Sequence, residues 1–198
     1  MRNKPYPTNR SSIPILIEKP IRFLMKQYSL RENVSGGRNL RVSRGVRVSA
    51  PNKMIIGDNV SIGPYSLILL DGCIGSNTMI SFGVYIVGRN DHAFDEPGTL
   101  IRDDHSLPGM EIKSSISIGR DVWIGAGAVL LSGIKIGDGS IIAAGSVVTN
   151  DVEACSVVGG NPARWVKNRF KNENEKRIHL EALIDLARPT RPSKNFHP

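Results

Sequence analysis

An aliphatic side chain recurs at every sixth position of this chain, in two uninterrupted blocks. The members are Ile56, Ile62, Ile68, Ile74, Ile80 and Ile86, and then Ile118, Ile124, Leu130, Ile136, Ile142 and Val148. A second series lies four residues after the first, as at Val60 and Val122, and we trace it upstream through Met54, Val48 and Val42. An amphipathic helix would need apolar spacings that alternate between three and four, and these segments lack that alternation.

This six-residue period is typical of parallel β-helices. Each period forms a short strand and a turn, and three strands close one triangular coil of about eighteen residues. The aliphatic residue points inward and stacks on its equivalent one coil away, so that neighbouring coils stabilise each other. The twenty glycines suit many tight corners. The sequence therefore predicts an all-β solenoid, a parallel β-helix.

The period breaks once, between Ile86 and Ile118, because the difference between these two positions is not a multiple of six. The intervening segment is rich in Asp, Pro, Gly and His, and we predict that residues 92–115 form an excursion loop. Such loops on a regular scaffold often carry function. His92 stands where the loop leaves the coil and is our candidate general base, whereas His105, deeper in the loop, is interpreted as a solvated side chain.

The segment DVWIGAGAVLLSGIKIGDGSIIAAGSVVTNDV, followed by VVGGNPARWVKNRF, closely resembles the hexapeptide-repeat acyltransferase superfamily. Within it, the segment is similar to the galactoside and maltose acetyltransferases and to the polysaccharide O-acetyltransferases. The resemblance extends over about residues 54–170. It implies a left-handed parallel β-helix, a homotrimer with active sites between subunits, and acetyl-CoA as cosubstrate.

The resemblance also implies a mechanism. His92 matches the loop histidine that acts as general base on an acceptor hydroxyl, and an imidazole with an ordinary pKa of about 6.5 suits that task. Trp123 matches the tryptophan that borders the acetyl and acceptor pocket. A backbone N–H near Gly125 or Ala126 is a candidate donor to the tetrahedral oxyanion.

Five further positions match residues that contact the coenzyme in this family. Ala126 and Ala144 match positions whose backbone groups meet the pantetheine arm. Thr149, Arg164 and Lys167 match positions near the adenosine and the phosphates. Some relatives have Arg where this chain has Lys167, which keeps the positive charge but not the bidentate geometry. The simpler alternative for Arg164 and Lys167 is a solvated basic patch.

The resulting functional hypothesis is an O-acetyltransferase that acts on a sugar hydroxyl, in bacterial surface polysaccharide such as O-antigen, capsule or exopolysaccharide. We prefer direct transfer, because neither Cys73 nor Cys155 belongs to a Cys–His arrangement, and we interpret both as small buried residues. The alternatives within the superfamily are acylation of an antibiotic, of serine or of a nucleotide-sugar amine. A γ-carbonic-anhydrase-like metalloenzyme needs three histidine ligands for its metal. The coil repeats contain no histidine, so we expect no metal. A non-catalytic scaffold is the last alternative.

We divide the chain into an extension with a short helix (1–37), the β-helix (38–165), and a C-terminal helix and tail (166–198), with the helix over 171–187. The net charge of +8 favours anionic partners, but no recognition motif points to nucleic acid. The chain begins without a secretory signal, which indicates a cytoplasmic protein. Residues 13–30 mix aliphatic and basic side chains, so a peripheral membrane contact is an alternative role for that helix.

Overall fold

The computed structural model describes residues 24–25, 27–31, 33–89, 97–103 and 115–187. Successive short strands pass in rotation through three sheets, so the chain winds as a parallel β-helix with three faces. Met54 pairs with Gly72, and Ile118 pairs with Ile136, so one regular coil spans three of the six-residue periods. The β-helix predicted from the period is confirmed.

The described part of the chain contains seventeen strands, distributed over three faces. Face 1 contains β1 (Val34–Gly36), β4 (Met54–Ile56), β7 (Gly72–Ile74), β10 (Ile116–Ile118) and β13 (Lys135–Ile136). Face 2 contains β2 (Arg41–Val42), β5 (Ser61–Ile62), β8 (Met79–Ile80), β11 (Trp123–Ile124), β14 (Ile141–Ile142), β16 (Ser156–Gly160) and β17 (Ala163–Asn168). Face 3 contains β3 (Arg47–Val48), β6 (Leu67–Ile68), β9 (Tyr85–Val87), β12 (Val129–Leu131) and β15 (Val147–Val148).

The core of the β-helix is the stack of inward aliphatic side chains. All twelve members of the first sequence series are buried. Glycine follows several of them because the next coil leaves no room for a side chain: a Cβ atom on Gly125 would stand 2.5 Å from the backbone nitrogen of Ala144. The repeat thus encodes both the stacked core and the close approach of neighbouring coils.

The upstream extension of the second series is correct for Met54, which pairs with Gly72, but wrong for Val48 and Val42. Val42 pairs with Ile62, and Val48 pairs with Ile68, so both valines belong to the first, inward series. The cause is a longer first coil. Val34 pairs with Met54, whereas a coil of the regular length would pair Val34 with the residue two positions before Met54. These two additional positions shift the phase of everything upstream of Met54.

Cys73 also departs from its interpretation as a buried residue. It is exposed, whereas Cys155 is buried. Cys73 precedes the inward Ile74 by one residue, and side chains along a strand alternate between the two faces of a sheet. Its side chain therefore points outward, 3.6 Å from the hydroxyl of Ser117.

The predicted excursion leaves the β-helix after β9 and returns at β10. Ile74 pairs with Ile118 across the excursion, whereas Ile118 pairs with Ile136 in a regular coil. The coil that contains the excursion is therefore more than twice as long as a regular one. Within the excursion the structure describes residues 97–103, which include a short 3-10 helix, Ile101–Asp103.

A hairpin and a helix close the C-terminal end. The chain reverses at Asn161–Pro162, whose peptide bond is cis, and β17 returns antiparallel to β16. Helix α1 (Glu173–Ala187) confirms the predicted C-terminal helix. It begins after Asn172, whose side-chain oxygen accepts the backbone N–H of Glu175 at 2.9 Å, as an N-cap does.

The predicted N-terminal helix lies largely outside the described residues, although residues 24–25 and 27–29 are helical. The membrane contact suggested for it lies outside them as well. No helix in the described part of the chain has the length and apolar character that crossing a bilayer requires.

Candidate active site

The edge between faces 2 and 3, which we call the second edge, brings Ala126 and Ala144 together. They occupy the same corner of consecutive coils, and the N–H of Gly145 donates to the carbonyl of Ala126 at 2.8 Å. Within the described residues, no acceptor takes the backbone N–H of Ala126 or of Ala144. The second edge therefore offers two unpaired N–H donors, one coil apart.

Arg164 lies at the C-terminal end of the second edge. It pairs with Gly159 across the β16–β17 hairpin. Gly159 in turn lies against Ala143, since a Cβ atom placed on it would be 3.1 Å from the Cβ of Ala143. The arginine side chain is exposed, and its Nη1 donates to the neighbouring carbonyl of Ala163, at 3.0 Å. A positively charged group thus lies next to the row of unpaired N–H donors.

Trp123 and Lys167 lie in one row across the outer surface of face 2. Trp123 pairs with Ile141, Ile141 with Val157, and Val157 with Lys167. Three strand spacings separate them, about 14 Å. Trp123 is 53% exposed, so about half of its surface is available to a ligand.

Thr149 does not join this group. It follows β15 at the far end of face 3 and is half-buried. Its carbonyl accepts a hydrogen bond from the guanidinium of Arg89, whose backbone N–H donates to the hydroxyl of Ser132 at 3.0 Å. Arg89 is the last described residue before the excursion, so these bonds anchor the point where the excursion leaves the β-helix.

His92 and His105 lie outside the described residues. The structure therefore describes six of the seven predicted site residues. It brings Ala126 and Ala144 together, places Arg164 near them, and aligns Trp123 with Lys167.

Sequence reasoning missed three exposed apolar residues, one each on face 2, on the second edge and on face 3. Met79 pairs directly with Trp123 on face 2 and is 59% exposed. Phe82 lies on the second edge, at the same corner as Gly127 but one coil earlier. Tyr85 lies on the adjoining part of face 3, and both residues are about half exposed. Met79 and Tyr85 each precede an inward isoleucine by one residue, so their outward direction could be read from the period.

The edge between faces 1 and 2, the first edge, contains the charged groups that hold α1. Burial raises the pKa of the Asp138 carboxyl, but hydrogen bonds from the side chain and backbone of Arg120 outweigh it, and the pKa falls below its ordinary 3.8. Arg120 also donates to the carbonyl of Leu183 at 3.0 Å. Arg169 donates to the Asp121 carboxylate at 2.8 Å, and Nε2 of His179 lies 3.1 Å from the same oxygen without hydrogen-bond geometry.

Two other groups with shifted pKa values have structural explanations. Burial raises the pKa of the Cys155 thiol above 9.0, so this cysteine is poorly suited to act as a nucleophile. Burial also raises the pKa of the Asp71 carboxyl, but hydrogen bonds from the Asn52 side chain and from the backbone of Lys53 and Asn52 outweigh burial. The pKa of Asp71 therefore lies below its ordinary value. Asp71 thereby ties the end of the second coil to the corner of the first.

Comparison with known families agrees with this architecture. Residues 115–150 match the family described as bacterial transferase hexapeptide (six repeats). The chain therefore carries the hexapeptide repeat of that family over these residues, and resembles the hexapeptide-repeat acyltransferases in sequence and fold. The matched residues run from just before β10 to just after β15, so they include Trp123, Ala126, Ala144 and Thr149.

The similar proteins are acetyltransferases. A chloramphenicol acetyltransferase of Morganella morganii is 34% identical over 126 residues, which are 62% of this chain and 54% of that protein. A putative acetyltransferase of Saccharomyces cerevisiae is 29% identical over 180 residues, 82% of this chain and 87% of that protein. The chain spans only 54% to 59% of the first curated relatives it matches.

Among solved structures, a galactoside acetyltransferase in complex with coenzyme A superposes with a TM-score of 0.54 and 26% identity. The alignment covers 84% of this chain and 76% of that one. The two relatives and the solved structure named above are acetyltransferases by name, and the family model describes a bacterial transferase.

Proposed function

We propose that this protein is an acetyl-CoA-dependent O-acetyltransferase that acylates a sugar hydroxyl. The observation that carries the proposal is the second edge, with unpaired N–H groups at Ala126 and Ala144 and the exposed guanidinium of Arg164 beyond them. A pantetheine arm offers amide carbonyls to such N–H groups, and its phosphates suit a basic strand. The similarity to a galactoside acetyltransferase with bound coenzyme A supports the same assignment.

In the proposed binding mode, the coenzyme follows the second edge. Ala144 donates to a pantetheine amide, the N–H of Ala126 lies at the thioester end of the arm, and Trp123 borders the acetyl group. Arg164 and Lys167, on β17, bind the phosphates and the adenosine. Thr149 is the weakest member of the set, because it lies across face 3 from Ala144 and its carbonyl already accepts Arg89.

The proposed reaction needs one proton acceptor and one oxyanion donor. His92 takes the proton of the sugar hydroxyl as its oxygen attacks the thioester carbonyl, and the imidazolium then protonates the departing thiolate. The backbone N–H of Gly125 already donates to Ile142 at 2.8 Å, whereas that of Ala126 has no acceptor among the described residues. Ala126 is therefore the better oxyanion donor of the two. Because Arg89 is anchored three residues before His92, the excursion begins from a fixed point.

The proposed assembly is a homotrimer with active sites between subunits. Two large exposed apolar side chains support it: that of Phe82 on the second edge and that of Tyr85 on the adjoining part of face 3. Exposed apolar residues that cluster in this way are typical of surfaces that another chain covers. We propose bacterial surface polysaccharide as the biological acceptor and the cytoplasm as the compartment. A peripheral membrane contact through residues 13–30 is the alternative to a packing role for the N-terminal helix.

An antibiotic is the second candidate acceptor. It is favoured by the similarity to chloramphenicol acetyltransferases and, over 81 residues, to a probable macrolide acetyltransferase of Lysinibacillus sphaericus at 47% identity. Acetyl transfer to chloramphenicol or to a macrolide at a rate that exceeds every saccharide tested would favour this candidate over the sugar.

The proposal is tested with a His92→Ala variant and acetyl-CoA, by measuring thiol release against a panel of sugars and oligosaccharides. Loss of a general base should lower kcat about 100- to 10,000-fold, while the coenzyme A affinity measured by calorimetry stays unchanged. His105→Ala, in the same excursion, is the matched control and should keep its turnover. Equal turnover in parent and His92→Ala would contradict the mechanism, and absence of coenzyme A binding would contradict the proposed function.

A further inference from the structure

A groove runs along face 2 beside the first edge, on the N-terminal side of Trp123. Its lining residues come from three consecutive coils and are mostly polar. They are Asn39, Leu40, Arg41, Asn59, Ser61, Asn77 and Met79. None of them belongs to the coenzyme site proposed above, so the groove needs a separate explanation.

One wall of the groove is a ladder of side-chain amides. Nδ2 of Asn39 donates to Oδ1 of Asn59 at 2.9 Å, and Nδ2 of Asn59 donates to Oδ1 of Asn77 at 3.1 Å. All three asparagines have left-handed backbone angles, with φ between 54° and 63°. Each ladder bond uses one of the two N–H groups of an amide. The remaining N–H groups and oxygen lone pairs can still bond a ligand in the groove.

Arg41 forms the N-terminal end of the groove and has no acidic partner among the described residues. The neighbouring Arg38 is different, because its guanidinium makes two hydrogen bonds to the Asp58 carboxylate, at 2.9 and 2.7 Å. Residues 34–53 contain four arginines and a lysine but no acidic residue. A guanidinium that no carboxylate neutralises can bind an anionic group of a ligand bidentately.

The groove leads directly to the proposed acetyl pocket. Arg41 pairs with Ser61, Ser61 with Met79, and Met79 with Trp123, so the four side chains form one row across face 2. The three strand spacings between Arg41 and Trp123 amount to about 14 Å. This length exceeds a single sugar ring, so a monosaccharide at Trp123 could not reach Arg41.

We infer that the groove binds the acceptor as an oligosaccharide that carries a uronic acid. The carboxylate pairs with Arg41, ring hydroxyls exchange hydrogen bonds with the amide ladder, and the hydroxyl to be acetylated lies at Trp123. Hydroxyls and amides suit each other because both donate and accept hydrogen bonds. This inference rests on the proposed function and narrows its acceptor from sugars in general to an extended, acidic saccharide.

The test measures binding of saccharides to the full chain by calorimetry, without acetyl-CoA. The probes are a tetrasaccharide of galacturonic acid and a neutral galactose tetrasaccharide of the same linkage. The acidic probe should bind at least tenfold more tightly. Arg41→Gln should remove that difference, and Asn59→Gly should weaken both probes while it keeps the left-handed corner that position 59 requires.

Arg47→Gln is the matched control, since Arg47 is an exposed arginine of the same coil on face 3. It should bind both probes as the parent chain does. Equal binding of the two probes would overturn the inference, as would an equal loss of affinity for the acidic probe in Arg41→Gln and Arg47→Gln. Tighter binding of a phosphorylated tetrasaccharide than of the uronic acid tetrasaccharide would also overturn it. Thermal unfolding midpoints would show that the variants are folded.

The two proposals can fail separately. Coenzyme A binding and acetyl transfer to other acceptors, with no preference for the acidic probe, would leave the proposed function standing and reject the acidic acceptor. Tight binding of the acidic probe through Arg41 without coenzyme A binding would support the saccharide groove and reject the proposed acetyl transfer.

Discussion

Gly72 shows how strongly one position can constrain this β-helix. It begins β7 with a φ of 144°, in the region that favours glycine. A Cβ atom added there would overlap the carbonyl oxygen of Ile116, on the neighbouring strand β10. Only glycine fits at this position of the second series, because a backbone atom rather than a flexible side chain occupies the space.

Gly72→Ala should lower the free energy of unfolding by about 3 kcal/mol, through the clash with Ile116 together with the unfavourable φ. Gly83→Ala is the control, because Gly83 also has a positive φ, of 63°, but no atom lies within 4 Å of an added Cβ. It should cost about 1 kcal/mol. Urea unfolding of both variants checks this, and equal destabilisation would show that the clash contributes nothing.

The left-handed corners also explain why asparagine recurs along the first edge. A residue three positions after the inward aliphatic side chain adopts a positive φ, which Asn tolerates better than most residues. Asn39, Asn59 and Asn77 meet this backbone requirement, and the same stacking aligns their amides into the ladder. A constraint of folding thus supplies the polar wall of the proposed saccharide groove.

At the scale of elements, α1 is attached to the first edge by one buried side chain and a few polar contacts. Leu183 is 4% exposed. Its carbonyl accepts Arg120, whose side chain also pairs with Asp138. The Phe170 and His179 rings lie 4.9 Å apart and link the start of this segment to the helix.

Leu183→Ala should lower the free energy of unfolding by about 2 kcal/mol, because it removes the main apolar contact of α1. Leu186→Ala is the matched control on the same helix, since Leu186 is 71% exposed, and it should change the stability by less than about 0.5 kcal/mol. Chemical unfolding with helix content followed by circular dichroism measures both. Similar losses in the two variants would mean that α1 packs through another face.

At the scale of the whole molecule, the β-helix and the excursion serve separate purposes. Each coil is stabilised by the coils next to it, and Ile74 pairs with Ile118 as directly as Ile118 pairs with Ile136. Stacking therefore continues across the excursion as if its additional residues were absent. The excursion is available for function because the core does not depend on it.

Deleting residues 89–114 would leave three residues between Ile86 and Ile116, as there are between Ile68 and Gly72 in a regular coil. The shortened chain should keep its β-sheet circular dichroism and unfold within a few degrees of the parent. It should lose acetyl transfer, because His92 is removed. An unfolded product would show that the excursion stabilises the β-helix, and retained transfer would place the general base elsewhere.

The sequence by itself determined the architecture, because a period of six decides which side chains point inward whatever the rest of the chain does. It also located the excursion, because the period resumes at Ile118 out of phase with Ile86 after a long polar segment. Trp123, Ala126 and Ala144 could be proposed from the resemblance because they lie within the most regular repeats.

Only the tertiary structure decided which residues lie beside one another across the coils. Such neighbours are one coil apart, and the length of a coil depends on insertions that the period does not reveal. The two additional positions of the first coil put Val42 and Val48 in the inward series and align Arg41 with Ser61, Met79 and Trp123. The period of six determines the direction of each side chain, but coil length determines its neighbours, and the proposed groove depends on those neighbours.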